Sequence, residues 1–438
     1  MKYILPSLGV IVASALFAFS ATNQRAGAVE QSQHERTFKQ LELFADVLAR
    51  VRNDYVVPVA NDELIDDAIN GMLQGLDPHS SYISPERFED FTINTSGEYG
   101  GLGMEVTMEE GVVKVVSPID ETPAKRAGIK SGDYLTAIDG ESILGLSLYD
   151  AVDKMRGKAG EAITVTVVRK GEDPIDIEMT REIIKKIVVR HEVKDGIAYM
   201  RISQFNELTA KSMDKSIKEL KKEFDGNIPG LVLDLRGNPG GLVDQAIRVS
   251  SSFLNGGEVV STRGRHASDT EHYLAKKGEQ LKGVPIIVLI DGASASASEI
   301  VAGALQDRKR ALLLGMPSFG KGLVQTVVPL RDGRDGALRM TTAKYYTPDG
   351  RSIQGTGLTP DIIVSYAPDD GKGNKGGFKE KDLPNAIKNE IKDAEKETDI
   401  IIDFPPEDFD VKDDYQLKRA INILKDGSYK KIVTEGKG

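Results

Sequence analysis

Apolar residues recur along the chain with three different spacings, and each spacing predicts a different kind of structure. Between residues 35 and 76 they fall three and four positions apart, as in amphipathic helices. Between residues 97 and 182 short β-rich runs are separated by Gly, Pro and Asp turns, which indicates a small β-rich module. Between residues 197 and 366 strand and helix patterns alternate, which predicts a largely parallel α/β sheet. The chain of 438 residues is therefore expected to be multidomain.

Both ends of the chain lie outside these patterns. Residues 3–23 form an apolar run without charge, followed by small residues at 26–28, so we expect a signal peptide over residues 1–28. This segment predicts export to the periplasm or another extracytoplasmic compartment. The run is also long enough to cross a bilayer, so a membrane anchor over residues 3–24 stays open. Residues 367–438 predict a linker and then helical segments, either a solvated tail or a partner-binding region.

Composition narrows the chemistry that the chain can perform. It carries 57 Lys+Arg against 67 Asp+Glu, a net charge of −10 without basic blocks, which argues against nucleic acid as a partner. It has no cysteine, so thiol nucleophiles, disulfides and cysteine-based zinc sites are excluded. Its five histidines have no paired metal-ligand spacing, and no metal or organic cofactor is expected. Any nucleophile must therefore be Ser, Thr, Lys or a carboxylate.

Three serines lie where a predicted strand turns into a predicted helix. The apolar run 284–290 is followed by a Ser/Ala stretch that contains Ser294, Ser296 and Ser298. Backbone N–H groups at a helix start are unpaired and favour developing negative charge, so a hydroxyl beside them can attack a carbonyl. Such a stretch also serves simply as a helix cap. Spacing alone does not choose between these functions or among the three serines.

Two further segments supply what a serine nucleophile needs. Lys321 lies between Gly320 and Gly322 and can approach the backbone closely. A desolvated lysine has a lowered pKa and can accept a serine proton at neutral pH. The strand pattern 230–235 ends in the glycine-rich turn 236–241, whose N–H groups can stabilise an oxyanion. Together these segments predict a Ser-Lys centre that needs no histidine.

Two other chemistries fit part of the lysine segment. Residues 315–321 match a phosphate-binding loop, but Gly322 stands where a Ser or Thr would hold magnesium, which counts against nucleotide hydrolysis. Ser318 and Lys321 have the Ser-x-x-Lys spacing of penicillin-recognising enzymes, but the companion Ser-Asp-Asn and Lys-Thr-Gly motifs are absent from the sequence. We therefore adopt neither interpretation.

Five motifs, in order along the chain, resemble those of the carboxyl-terminal processing peptidases, the tail-specific serine protease family. The similarity extends from about residue 38 to about residue 366, and the motifs are residues 71–80, 99–105, 233–242, 293–299 and 319–325. This resemblance implies that Ser296 is the nucleophile, Lys321 the general base and Gln325 the residue that orients the lysine.

The resemblance also implies where the oxyanion is held. The two donors would be the amide of Ala297 and the amide of either Gly240 or Gly241. All the family's active-site residues are present, which argues against an inactive relative.

Residues 96–182 resemble a PDZ domain, a module that binds free C-termini. The resemblance implies a carboxylate-binding loop made of Gly101, Leu102, Gly103 and Met104. Consecutive N–H groups of such a loop can capture a terminal carboxylate while the peptide adds as a strand to an exposed edge. In the family an arginine of this module reports occupancy, and Arg169 is the candidate in this chain.

The sequence thus predicts an exported serine endopeptidase that recognises C-terminal tails of protein or peptide substrates and cleaves them with a Ser-Lys(-Gln) centre. The predicted regions are helical over 35–95, PDZ over 96–182, a mixed or parallel α/β protease core over 183–366, and a linker with helices over 367–438. A PDZ-type tail-binding scaffold or pseudo-protease is the alternative. Helical segments at both ends predict a homo-oligomer, although such faces pack equally well on their own domain. An adaptor protein is a further candidate partner.

Overall fold

The computed structural model describes residues 34–169, 171–369, 377–390, 402–410 and 412–435. The predicted signal peptide or anchor lies outside the described residues. The chain divides into two compact units, residues 1–72 and residues 73–438. Within the described ranges no helix combines the length and the apolar character needed to span a membrane.

The first unit consists of helices in its described part. Helix α1 runs over residues 34–54 and helix α2 over Asn61–Gln74, where the apolar spacing predicts helices. Asp62 and Glu63 lie in the first turn of α2, where the helix dipole favours negative charge. Many apolar side chains of α1 are exposed, and the largest are Phe38, Leu41, Leu43, Phe44, Val47 and Val51.

The second unit starts with short elements that lead into the β-rich module. They are strand β1 (Ser81–Ile83), helix α3 (Pro85–Ser96) and strand β2 (Glu98–Gly101). Pro85 suits the first turn of α3 because its fixed φ is helical and no acceptor is needed for an N–H there. Gly97 ends this helix with φ 74°, a left-handed conformation that glycine adopts without strain.

The β-rich module is a six-stranded sheet with its own core. Its elements are β3 (Met104–Glu109), β4 (Val112–Pro118), α4 (Pro123–Arg126), β5 (Tyr134–Ile138), β6 (Glu141–Ser142), α5 (Leu148–Met155), β7 (Ala162–Val168) and β8 (Ile175–Thr180). The strand order is β3-β4-β5-β7-β8, with β6 on β5. Along β7 every second residue is buried, as expected when one face of a strand covers a core. Helix α5 adds Ala151 and Met155 to that core.

A mixed sheet forms the centre of the unit. The chain continues through β9 (Glu182–Lys185), β10 (Val189–Lys194), β11 (Ile197–Ile202), α6 (Thr209–Glu223), β12 (Leu231–Asp234), α7 (Val243–Phe253), β13 (Glu258–Arg263), β14 (Thr270–Leu274), β15 (Ile286–Ile290), α8 (Ala297–Asp307), β16 (Leu312–Gly315), β17 (Leu323–Pro329), β18 (Ala337–Tyr346) and β19 (Ile362–Ile363). Short 3₁₀ helices lie at Ala267–Asp269 and Arg331–Gly333. The sheet order is β10-β11-β12-β15-β16-β19, and only the β10–β11 pair is antiparallel among these described neighbours. This is the predicted α/β core, and all of β15 is buried in it.

A second, antiparallel sheet lies in the same unit. Its order is β1-β18-β13-β14, and β17 also pairs with β18. The apolar pattern between residues 197 and 366 predicted a largely parallel sheet and gave no sign of this one. The reason is that most of β18 is only half-buried, so its sequence lacks a clear alternation of apolar and polar positions.

The C-terminal region is part of the fold. Helix α9 (Tyr415–Lys425) is capped by Asp414, whose side chain accepts the N–H of Leu417, and α10 (Ser428–Glu435) follows. The apolar face of α9 covers the mixed sheet, where its buried members are Leu417, Ala420, Ile421, Ile423 and Leu424. The predicted alternatives of a solvated tail or a partner-binding region are therefore wrong for α9. A 3₁₀ helix at Glu380–Asp382 lies within the predicted linker, and its Glu380 is fully buried.

Candidate active site

The candidate nucleophile Ser296 lies at the junction between β15 and α8. Its φ of 54° and ψ of −115° fall in a region that costs a non-glycine residue about 1 to 3 kcal/mol, a strain that usually accompanies a functional role. The hydroxyl groups of the two neighbouring serines form hydrogen bonds with backbone carbonyls. The Ser294 hydroxyl donates to the Leu235 carbonyl at 2.9 Å, and the Ser298 hydroxyl donates to the Asn238 carbonyl at 2.9 Å. Both are fully buried, whereas Ser296 is half-buried.

The glycine-rich turn after β12 lies directly against this junction. A Cβ built on Gly240 would lie 2.8 Å from the Ser296 Cβ and 2.9 Å from the Ala297 nitrogen, so only glycine allows the approach. The Gly240 amide already donates to the Asn238 side chain at 2.9 Å. Among the described residues, the amides of Gly241 and Ala297 have no hydrogen-bond acceptor. Of the two glycines left open by the sequence, Gly241 is therefore the one with an available donor.

Charged side chains fix the start of this turn. The buried Asp234 accepts hydrogen bonds from the Tyr199 hydroxyl at 2.8 Å and from the Arg236 guanidinium at 2.7 Å. Burial alone would raise the pKa of Asp234, but the hydrogen bonds and charge of Arg236 hold it below its usual range. Arg236 also donates to Asp414 at 2.6 Å, which ties the turn to the start of α9. The Asp291 carboxylate accepts the Gly237 amide at 3.0 Å and so joins the turn to the serine segment.

Lys321 is held close to Ser296 by its backbone. The amides of Ser296 and Lys321 both donate to the same oxygen, Glu299 Oε2, at 2.8 Å and 2.9 Å. The Tyr345 hydroxyl donates to the Lys321 carbonyl and so fixes the lysine backbone from a second direction. On the other side of Lys321, a Cβ built on Gly322 would lie 2.8 Å from the Gln354 nitrogen, so the lysine loop is tightly packed.

The electrostatic surroundings of Lys321 favour its neutral form. Burial lowers the pKa of Lys321, and the nearby charge of Arg339 lowers it further. Three carboxylates, those of Glu380, Glu299 and Asp77, oppose this shift without cancelling it. Lys321 is thus more readily deprotonated than an ordinary lysine, as a general base requires.

Gln325 lies on β17 opposite Thr341 of β18. Its side-chain nitrogen is 3.5 Å from the Thr341 hydroxyl oxygen, at the outer limit of a hydrogen bond, and that hydroxyl donates to Asp77 at 3.1 Å. Asp77 also accepts the Ser80 amide at 2.9 Å and hydroxyl at 2.7 Å. The motif at residues 71–80 thereby supports β18, the strand that pairs with the one carrying Gln325, through contacts that the sequence did not reveal.

The histidines have other partners. His79 Nε2 lies 2.8 Å from Glu380 Oε1, His191 Nε2 lies 3.4 Å from Glu219 Oε2, and His272 Nδ1 lies 2.7 Å from Glu258 Oε2. Within the ranges that the structure describes, no three His, Cys, Asp or Glu side chains are grouped so that they could hold a metal ion.

The candidate carboxylate loop lines a groove of the β-rich module. The groove is bounded by Gly101, Leu102, Gly103 and Met104 on one side and by Val152, Met155 and Arg156 of α5 and its C-cap on the other. In the described part of the chain, the amides of Leu102 and Gly103 have no acceptor, so both can bind an anion.

The structure places Arg169 away from the groove and another arginine of the module, Arg156, beside it. Arg169 donates to the Asp133 carboxylate at 2.8 Å and is not among the groove residues. Arg156 lines the groove, pairs with Asp90 and lies 5.7 Å from the centre of the Tyr99 ring. Arg156 is thus the one of the two that lies at the groove, and the role given to Arg169 stays a prediction. The sequence signal for Arg156 was its position directly after the amphipathic helix α5, whose inner face borders the groove.

Models of known families match most of the chain. Peptidase family S41 matches residues 196–364, a PDZ domain matches residues 100–177, and the N-terminal domain of the activating protease CtpB matches residues 9–87. Fold and sequence together thus define a serine-type peptidase that carries a PDZ domain.

Similar proteins narrow this class further. The chain is 49% identical over 403 residues to the carboxy-terminal-processing protease of Bartonella bacilliformis, covering 91% of this chain and 92% of that protein. It is 34% identical over 359 residues to the carboxy-terminal processing protease CtpA of Bacillus subtilis, covering 80% of this chain and 74% of that protein. The solved photosystem II D1 C-terminal processing protease is 30% identical with a TM-score of 0.42, over 74% of this chain and 92% of that chain. The chain therefore belongs to the carboxy-terminal processing protease family, as its motifs predicted.

Proposed function

We propose that this protein cleaves peptide bonds with Ser296 as nucleophile, Lys321 as general base and Gln325 as the residue that orients the lysine. The observation that carries the proposal is the surroundings of Ser296. This strained, half-buried serine adjoins two amides without an acceptor among the described residues, and its backbone shares a carboxylate oxygen with that of Lys321. A nucleophile, a base and oxyanion donors are the groups that acyl transfer needs.

The chemistry follows from these groups. Neutral Lys321 accepts the Ser296 hydroxyl proton while the serine oxygen bonds to the substrate carbonyl carbon. The carbonyl electron pair moves to its oxygen, which the amides of Ala297 and Gly241 stabilise. The C–N bond then breaks as the lysine ammonium gives its proton to the leaving amine. Water, activated by the lysine in the same way, hydrolyses the acyl-enzyme and restores Ser296.

Substrate selection is proposed to reside in the groove of the PDZ domain. The amides of Leu102 and Gly103 can donate to a terminal carboxylate, and the Arg156 cation lies in the same groove. The peptide would add as a strand to β3, which is an edge of its sheet. An unstructured tail with a free carboxylate is therefore the substrate that this arrangement suits.

We further propose that the protein acts outside the cytosol and as a homo-oligomer. The apolar run at residues 3–23 and the small residues at 26–28 support export, with either a cleaved signal or a retained anchor. The exposed apolar residues of α1 support self-association, because such a face is normally covered. Cell fractionation together with sedimentation of the purified protein tests both points. A cytosolic monomer would contradict them.

The catalytic proposal is tested by comparing wild type with Ser296→Ala and Lys321→Ala on an unfolded reporter that ends in an apolar tail. Cleavage is followed by mass spectrometry with and without a chelator, and melting temperatures verify folding. We expect wild type to cut in the chelator and both variants to be inert but folded. Cleavage by Ser296→Ala would refute the nucleophile assignment. A folded wild type that binds the tail and never cuts would instead favour a tail-binding scaffold.

A further inference from the structure

Glu299 is a buried acid that has no part in the chemical steps proposed above. It lies in the first turn of α8, three residues after Ser296, and its side chain has no solvent exposure. The helix dipole favours a negative charge at this end of a helix. A charged carboxylate that is buried away from water is nevertheless costly unless hydrogen-bond donors or opposite charges compensate it. The groups that contact Glu299 therefore indicate its role.

Four hydrogen bonds converge on this carboxylate. Oε1 accepts the Ser318 hydroxyl at 2.6 Å and the Gly320 amide at 2.8 Å. Oε2 accepts the Ser296 amide at 2.8 Å and the Lys321 amide at 2.9 Å. These donors come from two separate segments, the serine turn and the lysine loop. One side chain thus joins the backbones of both proposed catalytic residues.

Both joined segments need such support. Ser296 has a φ of 54°, a conformation that persists in a non-glycine residue only when the surroundings impose it. Lys321 stands between two glycines, which by themselves leave a loop many conformations. The Ser318 hydroxyl extends the connection, because it also accepts the Leu358 amide at 2.7 Å.

The chemical nature of the group matters as well. A carboxylate can accept all four hydrogen bonds, whereas an amide has one oxygen and a hydrocarbon side chain has none. Burial raises the pKa of the Glu299 carboxyl to about 7, and its hydrogen bonds with Ser318, Gly320, Ser296 and Lys321 oppose a larger rise. These donors therefore favour the charged form that can accept all of them.

We propose that Glu299 is a positioning residue that holds Ser296 and Lys321 in register for proton transfer. This inference rests on the Ser-Lys mechanism proposed above. Glu299 does not touch the substrate and acts only through the two backbones. Proton transfer and attack depend steeply on distance, so a displacement of about 1 Å between the two segments is expected to lower kcat about 100-fold.

Two substitutions of Glu299 separate positioning from simple packing. Glu299→Leu keeps a similar volume and removes all four acceptors. Glu299→Gln keeps one oxygen for the Ser296 and Lys321 amides, because its NH₂ group can donate to the Ser318 hydroxyl. The matched control is Glu279→Leu, which removes a largely buried carboxylate of the same unit from its partner Arg310, 2.6 Å away.

Each variant is measured for kcat and KM on the tail reporter, for melting temperature and for the rate of Ser296 labelling by a fluorophosphonate. We expect Glu299→Leu to lower kcat and the labelling rate about 100-fold at unchanged KM, and Glu299→Gln, which loses only part of the acceptor set, to lower both about 10-fold. Glu279→Leu should lower the melting temperature and keep wild-type kcat.

Wild-type kcat in Glu299→Leu, or a loss of kcat that Glu279→Leu shows to the same extent, would overturn the proposal. If Glu299→Leu does not fold, Glu299→Gln decides: a lower kcat at unchanged KM and melting temperature supports positioning, and wild-type kcat refutes it. Activity in Ser296→Ala would instead refute the underlying mechanism, so the two failures are distinguishable.

Discussion

Replacing Gly240 with alanine is expected to disable catalysis while leaving the protein folded, because the added methyl group meets the backbone around the nucleophile. It would lie 2.8 Å from the Ala295 carbonyl oxygen, 2.8 Å from the Ser296 Cβ and 2.9 Å from the Ala297 nitrogen. Ordinary contacts begin at 3.4 Å, so the turn must withdraw by about 0.6 Å. This movement separates the Gly241 amide from the Ala297 amide, the two proposed oxyanion donors.

The expected size of the effect follows from that movement. Loss of one oxyanion donor costs about 2.7 to 4 kcal/mol of transition-state stabilisation, or about 10² to 10³ in kcat. The matched control is Gly237→Ala in the same turn. Gly237 also has a positive φ, of 67°, but an added Cβ would meet only the end of the Arg201 side chain at 3.5 Å. Its cost should be about 1 to 2 kcal/mol of folding stability with unchanged kcat.

The assay compares kcat on the tail reporter and urea unfolding for both alanine variants. We expect Gly240→Ala to lose at least about 100-fold in kcat and Gly237→Ala to lose stability alone. Wild-type kcat in Gly240→Ala, or equal catalytic losses in the two variants, would refute the reasoning, because only Gly240 adjoins the nucleophile.

Three further outcomes follow from the same contacts. A lysine base works only when neutral and burial lowers the pKa of Lys321, so kcat should rise with pH through that lowered value and then level off; a flat pH profile would contradict this. Thr341→Val removes the hydroxyl between Gln325 and Asp77 and should lower kcat about 5- to 10-fold at unchanged KM in steady-state kinetics. Ile421→Ala should cost about 2 to 5 kcal/mol of stability in urea unfolding, whereas a solvated α9 would give almost no change.

Local patterns predicted elements well where one face of an element is buried. Strand β7, in which every second residue is buried, lies within the region where short β-rich runs predict strands. Because both faces of β15 are buried, its sequence is a continuous apolar run, which predicted a buried strand. The pattern failed for the antiparallel sheet, because none of its longer strands alternates regularly between buried and exposed positions. Most of β13 is buried, most of β14 is exposed, and most of β18 is half-buried.

The serine turn was predictable and the choice among its serines was not. A strand followed by a helix start is a local signal, but the partners that occupy Ser294 and Ser298 come from the distant strand and turn at Leu235 and Asn238. Only the family resemblance indicated Ser296.

Other residues of the site depend on contacts that no local pattern contains. Glu380 lies beyond a glycine-rich segment, yet its carboxylate is buried beside His79 and Gln354. Glu299 had a local signal, since a Ser followed three residues later by Glu is typical of a helix N-terminus. That signal predicts a cap and gives no indication that the same carboxylate also reaches the lysine loop.

The most direct measurement is to label the protein with a fluorophosphonate and to locate the modified residue by peptide mapping. The peptide that contains Ser294, Ser296 and Ser298 distinguishes the three serines by fragmentation. We predict a single adduct on Ser296, lost in Lys321→Ala and slowed in Gly240→Ala. An adduct on Ser294 or Ser298, or equal labelling of Ser296 when Lys321 is replaced, would contradict the assignment of a Ser296-Lys321 catalytic centre.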